Sequence, residues 1–347
     1  MLFHPGTKIP SSFPPSVLGT LFGKGGISDI YHRYDLVAKV TVIGSHRILQ
    51  SLPVHESLEV SVPPNDSVVY VEGKKINLGY NSALWMYMAV KEAAITRKLQ
   101  DFLGRPEFRG NAFLLDDQHY LCEVLFLSYI PGQSFVNFMD PRWLHRNSGN
   151  KSSYLQTVGE VISKMTSDLT LIHANNVIHR DIALENIIVA SGKVHTLIDY
   201  GLATFISPED ITEHLPQPGF QGLNTINWSE LSIREYVPER KGFGRPYYAA
   251  PEVAVGEKGT PASDVFSLGI VFWEALMRES AFLDETFRTR ANFRPESTAD
   301  LLAKLASHPH LSEREKKYAQ EAIAHTVVRE PEKRDMTAII RAAEALL

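Results

Sequence analysis

His179, Asp181, Asn186 and Asp199 lie in one stretch, Leu171 to Ala203, where short loops alternate with β-branched runs. Ile187-Ile188-Val189 and Val194-His195-Thr196-Leu197-Ile198 flank Ser191-Gly192-Lys193, the composition of two strands joined by a hairpin turn. Such a hairpin carries Asn186 in at one end and Asp199 out at the other, which brings both near Asp181. Three hard oxygen donors with room left for water and phosphate are what Mg²⁺ prefers. Read singly, each residue has a plainer role open to it. Asp181 could cap a turn, Asn186 could satisfy a backbone group, and Asp199 could begin a bend.

The elements that position these residues are legible on either side. Leu155, Val158, Ile162, Met165, Leu169 and Ile172 step by three and four, which predicts a core helix leading into the loop. Upstream, strand-forming residues flank a glycine cluster, Gly23 to Gly26, and glycine lets backbone amides fold over a phosphate. Leu36-Val37-Ala38-Lys39-Val40 then sets a lysine inside an apolar strand, where it needs a partner or a ligand. Helical periodicity runs from Ser82 to about Phe102 with Leu84, Met88, Ile95, Leu99 and Phe102 near one face, and Glu92 can turn toward the same side. Asn111 to Leu115 and Tyr120 to Leu127 read as two further strands. Residues 1 to 16 read as an extended arm, and Ser57 to Val62 with Ser67 to Val71 read as an extra hairpin around Pro63-Pro64-Asn65-Asp66.

His179-Arg180-Asp181, Asn186 and Asp199-Tyr200-Gly201, at this spacing, resemble the catalytic and metal loops of the protein kinase family. The resemblance extends to Gly244-Arg245-Pro246-Tyr247-Tyr248-Ala249-Ala250-Pro251-Glu252, to the apolar helix around Ser263-Asp264, and to Arg334. It implies an α+β, bilobal fold: a small antiparallel β-sheet lobe with one regulatory helix (17–130, with an insert at about 41–80) and a larger, mainly helical lobe (131–347). It implies ATP and Mg²⁺ (or Mn²⁺), with Asn186 and Asp199 as metal ligands and Asp181 as the group that takes the acceptor proton. Lys39, held by Glu92, would bind phosphates. Gly23, Gly25, Ser28, Ile30, Ala38, Leu127 and Tyr129 would surround the nucleotide. Asp264 would hold the backbone of the His179-Arg180 turn, and Arg334 would pair with Glu252.

Two departures bear on mechanism. Ala183 stands where serine/threonine kinases keep a lysine, and Glu185 stands where tyrosine kinases keep an arginine. Arg245, at a position that approaches the catalytic aspartate, is a candidate for the missing positive charge, and is equally able to face solvent or a loop phosphate. Ser28 replaces the third glycine of the loop. Thr212, Thr225, Ser229, Ser232 and Tyr236 lie where phosphorylation could order a loop through Arg180. The expected activity is protein phosphorylation, leaning to serine or threonine. A nucleotide-binding scaffold without efficient transfer, or a small-molecule phosphotransferase, are the competing readings.

At 347 residues, 44% hydrophobic and 22% charged, the chain has the composition of a soluble globular protein. Its net charge of −5 provides no general attraction to nucleic acid or anionic lipid, and no run of about 18 apolar residues marks a membrane span. The single cysteine, Cys122, sits among Leu121, Val124, Leu125 and Phe126, so it is expected as a core thiol in a reducing compartment, the cytoplasm first, with nuclear or host-delivered locations open.

Overall fold

The computed structural model describes residues 11–24, 28–61, 68–77, 80–139, 151–190, 195–206, 245, 247–257, 259–282 and 297–347. Gly25, the turn at 62–67 and the hydroxyls of 207–244 singled out above lie outside these residues. The described residues fall into two compact units, one drawn from 11–130 and 203–206, the other from 131–202 and 245–347.

The first unit is built on a five-stranded antiparallel sheet. Its strands are β1 (Thr20–Lys24), β2 (Asp29–Arg33) and β3 (Leu36–Ser45), then, after an insert, β7 (Phe108–Leu115) and β8 (Tyr120–Ser128), in the order β1-β2-β3-β8-β7. Side chains alternate between faces with period two, and this alternation decides what Lys39 can meet. Tyr31, Ala38, Val40, Cys122 and Val124 form a core on one face with Phe13 and Leu18. Ile30 and Leu125 are paired with Lys39, and Glu123 with Thr41, so these five share the other face. Ala38, expected at the nucleotide, therefore points away from Lys39. Val37, paired with Leu127, is the neighbour on the lysine's side.

Cys122 is fully buried in this core, and burial pushes its thiol well above the ordinary range. Ser11, Ser12 and Phe13 of the arm pack on this unit. Ser11 donates from its amide and its hydroxyl to Asp29 Oδ2 (2.8 and 2.9 Å), Ser12 N donates to Asp116 Oδ2 (2.9 Å), and Phe13 is buried against the sheet. Its acceptors lie far off in the chain, so no local pattern announced the docking.

The insert is a three-stranded sheet of β4 (Val60–Ser61), β5 (Val68–Val71) and β6 (Lys74–Asn77), one strand more than the hairpin expected. Glu72 and Gly73, both at positive φ (48° and 70°), make the second turn, the geometry that favours two-residue hairpin loops. The helix Tyr80–Leu103 buries Met88, Ile95 and Leu99, whereas Phe102, in the last turn, is 50% exposed, so the apolar face ends at Leu99.

In the second unit the helix Lys151–Ala174 buries Val158, Ile162, Met165, Leu169 and Ile172, the stripe that the spacing predicts. Helix Pro261–Met277 is buried nearly all round. Gly269 at its middle is required by close packing, because a Cβ there would stand 2.4 Å from Thr326 Oγ1. Helix Glu313–Thr326 starts with a capping box: Ser312 N donates to Glu315 Oε2 and Glu315 N to Ser312 Oγ. Among the described residues no helix is long and apolar enough to cross a membrane.

Candidate active site

In the second unit, Ile187–Val189 pairs antiparallel with Thr196–Leu197, and Ile198 N donates to Asn186 O (2.8 Å). These bonds fix Asn186 at the entry of the hairpin and set Asp199 just past its exit. The Asn186 amide donates to Asp181 twice, to its carbonyl at 2.9 Å and to Oδ2 at 2.7 Å. Asp181 Oδ1 is buried and accepts no hydrogen bond from the described residues; Arg245 Nε stands 3.9 Å from it. Burial pushes the Asp181 carboxyl above the ordinary aspartate range; Arg245 works against this shift and the charge of Asp199 adds to it.

The backbone around Asp181 is held in an uncommon shape. Arg180 and Asp199 have φ of 64° and 69°, in the left-handed region that non-glycine residues rarely adopt. Asp264, 1% exposed, accepts from His179 N and Arg180 N (2.8 Å each), which fixes the first of these turns. His173 Nε2 reaches the same carboxylate at 2.9 Å, a contact that helical periodicity gave no reason to expect. Arg180 Nε donates to Leu202 O (2.7 Å).

Tyr200, between Asp199 and Gly201, is buried with its ring 5.2 Å from that of His179. Its hydroxyl has no hydrogen-bond partner among the described residues, and burial raises the phenol above its ordinary range. An unsatisfied buried hydroxyl is costly, so Tyr200→Phe is expected to stabilise the protein by about 1 kcal/mol. Thermal melts of the two forms check this, and a lower melting temperature for the variant would contradict it.

In the first unit Lys39, 8% exposed, donates from Nζ to Glu92 Oε1 at 2.7 Å. Glu123 lies on the same sheet face and is 1% exposed. Burial raises its carboxyl well above the ordinary glutamate range, with the charge of Glu92 adding to this, which favours its protonated form. Ser28, at the third glycine position, shares a hydrogen bond with Thr41 (Oγ to Oγ1, 2.8 Å), so the substitution pins the end of the glycine loop to β3. Tyr129 N donates to Asp35 O (2.7 Å), and its ring lies 4.3 Å from that of His32.

The sequence model for the protein kinase domain matches residues 112–343. The chain belongs to the protein kinase domain family. Relatives with which the kinase domain shares sequence include a serine/threonine-protein kinase PknD of Chlamydia muridarum, 24% identical over 156 residues, which are 43% of this chain and 16% of that protein. A probable serine/threonine-protein kinase PknB of Lactococcus lactis is 27% identical over 123 residues, 35% of this chain and 16% of the relative. A probable serine/threonine protein kinase IREH1 of Arabidopsis thaliana is 24% identical over 203 residues, 54% and 15% of the two chains. The kinase domain thus spans about a sixth of the length of these relatives.

Arg334 of the kinase domain meets Glu252 through two bonds, Nη1 to Oε1 at 2.6 Å and Nη2 to Oε2 at 2.8 Å, and Ser263 Oγ adds a third to Oε1 at 2.8 Å. Burial alone would raise the Glu252 carboxyl, but the Arg334 bonds outweigh it and hold the group below the ordinary glutamate range. A carboxyl depressed in the folded state contributes stability above its unfolded value, near pH 4.5, and loses it as pH falls through the folded value. The melting-temperature advantage of wild type over Arg334→Met is therefore expected to be full at pH 7 and to shrink below about pH 4.5. Melts across that range check it; an advantage that does not change with pH would show the pair is not responsible.

Proposed function

We propose that the chain transfers the γ-phosphoryl group of ATP to a protein hydroxyl, on serine or threonine. The observation that carries this reading is the buried Asp181 Oδ1, unbonded among the described residues, with Asn186 fixed on the other carboxylate oxygen and a guanidinium alongside. A carboxylate oxygen left without a donor in a buried site suits the proton of an incoming hydroxyl.

The donor set also fits the cation. Among the described residues no group of three or more His, Cys, Asp or Glu side chains is arranged to hold a metal alone. The loop offers the Asp199 carboxylate and the Asn186 amide oxygen, and Mg²⁺ characteristically takes one or two carboxylates together with substrate phosphates. When bound there, Mg²⁺ or Mn²⁺ would neutralise charge on the transferring phosphate.

The chain's own residues divide the remaining work. Lys39, aimed by Glu92, would bind the α- and β-phosphates, with Gly23 and Ser28 of the glycine loop closing over them. Ile30, Val37, Leu127 and Tyr129 would line the base. Asp181 Oδ1 would orient the acceptor hydroxyl and take its proton, as the new phosphorus–oxygen bond forms and the bond to ADP breaks. Arg245 would supply the positive charge that Ala183 cannot. The chain's similarity to serine/threonine-protein kinases supports serine or threonine as acceptor. A single, buried cysteine is in keeping with a reducing compartment, the cytoplasm.

Mass spectrometry of the protein after incubation with MgATP tests the proposal. Phosphoserine or phosphothreonine on the chain or on an added protein supports it. Nucleotide binding with no phosphate transferred to any protein would replace it with a scaffold reading.

A further inference from the structure

We infer that Glu185 is a positioning residue that acts through Arg245 on the divalent-cation site, holding the guanidinium against the oxygen of Asn186 that the cation needs. This rests on the functional reading above, in which Asn186 is a metal ligand.

Arg245 makes two bonds of unequal strength. Nη1 donates to Glu185 Oε2 at 2.6 Å, a short contact between opposite charges, and Nη2 donates to Asn186 Oδ1 at 3.2 Å, a longer one to a neutral amide. The first fixes the guanidinium; the second follows from where Glu185 puts it. Nothing else is free to turn. The Asn186 Nδ2 faces two acceptors, the carbonyl and Oδ2 of Asp181, so a reversed amide would set oxygen against oxygen there and NH₂ against the guanidinium. Oδ1 must face Arg245, and Oδ1 is the one atom of this side chain that can ligate a cation.

A guanidinium and a divalent cation on one amide oxygen repel each other, so occupancy by one weakens the other to the same degree. Arg245 and Glu185 are about one-third and two-fifths exposed (34% and 44% of their side chains), so water can replace either bond when the oxygen is released. The sequence departures fall into place together. Ala183 and Glu185 remove positive charge from the catalytic loop, and the glutamate then recruits an arginine across about sixty residues and parks it on the ligand oxygen.

The test is Mn²⁺ binding, followed by electron paramagnetic resonance with a non-hydrolysable ATP analogue present, on the full chain. Glu185→Gln and Arg245→Gln are each expected to tighten Mn²⁺ about fivefold or more, and Arg245→Gln is expected to give no gain once Asn186→Ala is also present. Simple charge balance predicts the opposite for Glu185→Gln, since loss of a negative charge near a cation weakens its binding. A gain of affinity also cannot come from misfolding. Unchanged or weaker Mn²⁺ binding by Glu185→Gln overturns the inference while leaving the kinase reading intact; no Mn²⁺ bound by wild type or any variant overturns both.

Discussion

Asp199→Asn is expected to lower phosphoryl transfer about a thousandfold, the equivalent of several kcal/mol of charge stabilisation, with little change in melting temperature. The substitution keeps shape and removes charge. Asp199 Oδ1 accepts from Gly201 N at 3.1 Å, and an amide oxygen can accept the same bond, so the turn at φ 69° retains its support. What is lost is the only carboxylate that the proposed metal site contributes, leaving two neutral amide oxygens where Mg²⁺ needs hard, charged donors. Transfer from radiolabelled ATP, read beside a thermal melt, gives both halves of the expectation. Wild-type rates in the variant would remove Asp199 from the site. A large fall in melting temperature would instead assign it a role in holding the loop.

The contrast between what the sequence disclosed and what it concealed follows the range of the interactions. Asp181, Asn186 and Asp199 are close along the chain and tied by a hairpin, so their grouping could be read from strand and turn composition alone. The helix Lys151–Ala174 was legible from apolar spacing for the same local reason, whereas Pro261–Met277, apolar nearly all round, was read from its resemblance to the family's central helix. Ala38 neighbours Lys39 in sequence, but a strand turns neighbours to opposite faces; counting by two from Lys39 reaches Val37, on the lysine's side of the sheet. The capture of Arg245 by Glu185 and Asn186 was beyond local patterns. The charge at Glu185 was visible as a departure, but its partner lies about sixty residues on, and only the fold sets the two side chains 2.6 Å apart. The docking of Ser11 and Ser12 on Asp29 and Asp116 was hidden likewise, since lone serines in a proline-rich arm carry no periodic signal.

Lys39→Met is expected to reduce transfer about 10²- to 10³-fold, the range for removal of one positioned group that stabilises developing charge. Here, unlike at Asp199, stability should fall too. Lys39 Nζ and Glu92 Oε1 are 2.7 Å apart with side chains only 10% and 7% exposed, and removing one member of a buried pair takes away a close counter-charge from the other. Glu123, the carboxyl on that sheet face, is itself buried and adds to the burden if it ionises. The two effects separate in the double variant Lys39→Met/Glu92→Gln. Replacing both partners by uncharged groups removes the buried carboxylate whose counter-charge was taken away, so the melting temperature should recover toward wild type while transfer stays low. If the double variant recovers both, Lys39 served the fold and not the phosphates. If the single variant transfers phosphate at the wild-type rate, the pair has no part in the reaction, whatever it does for the sheet.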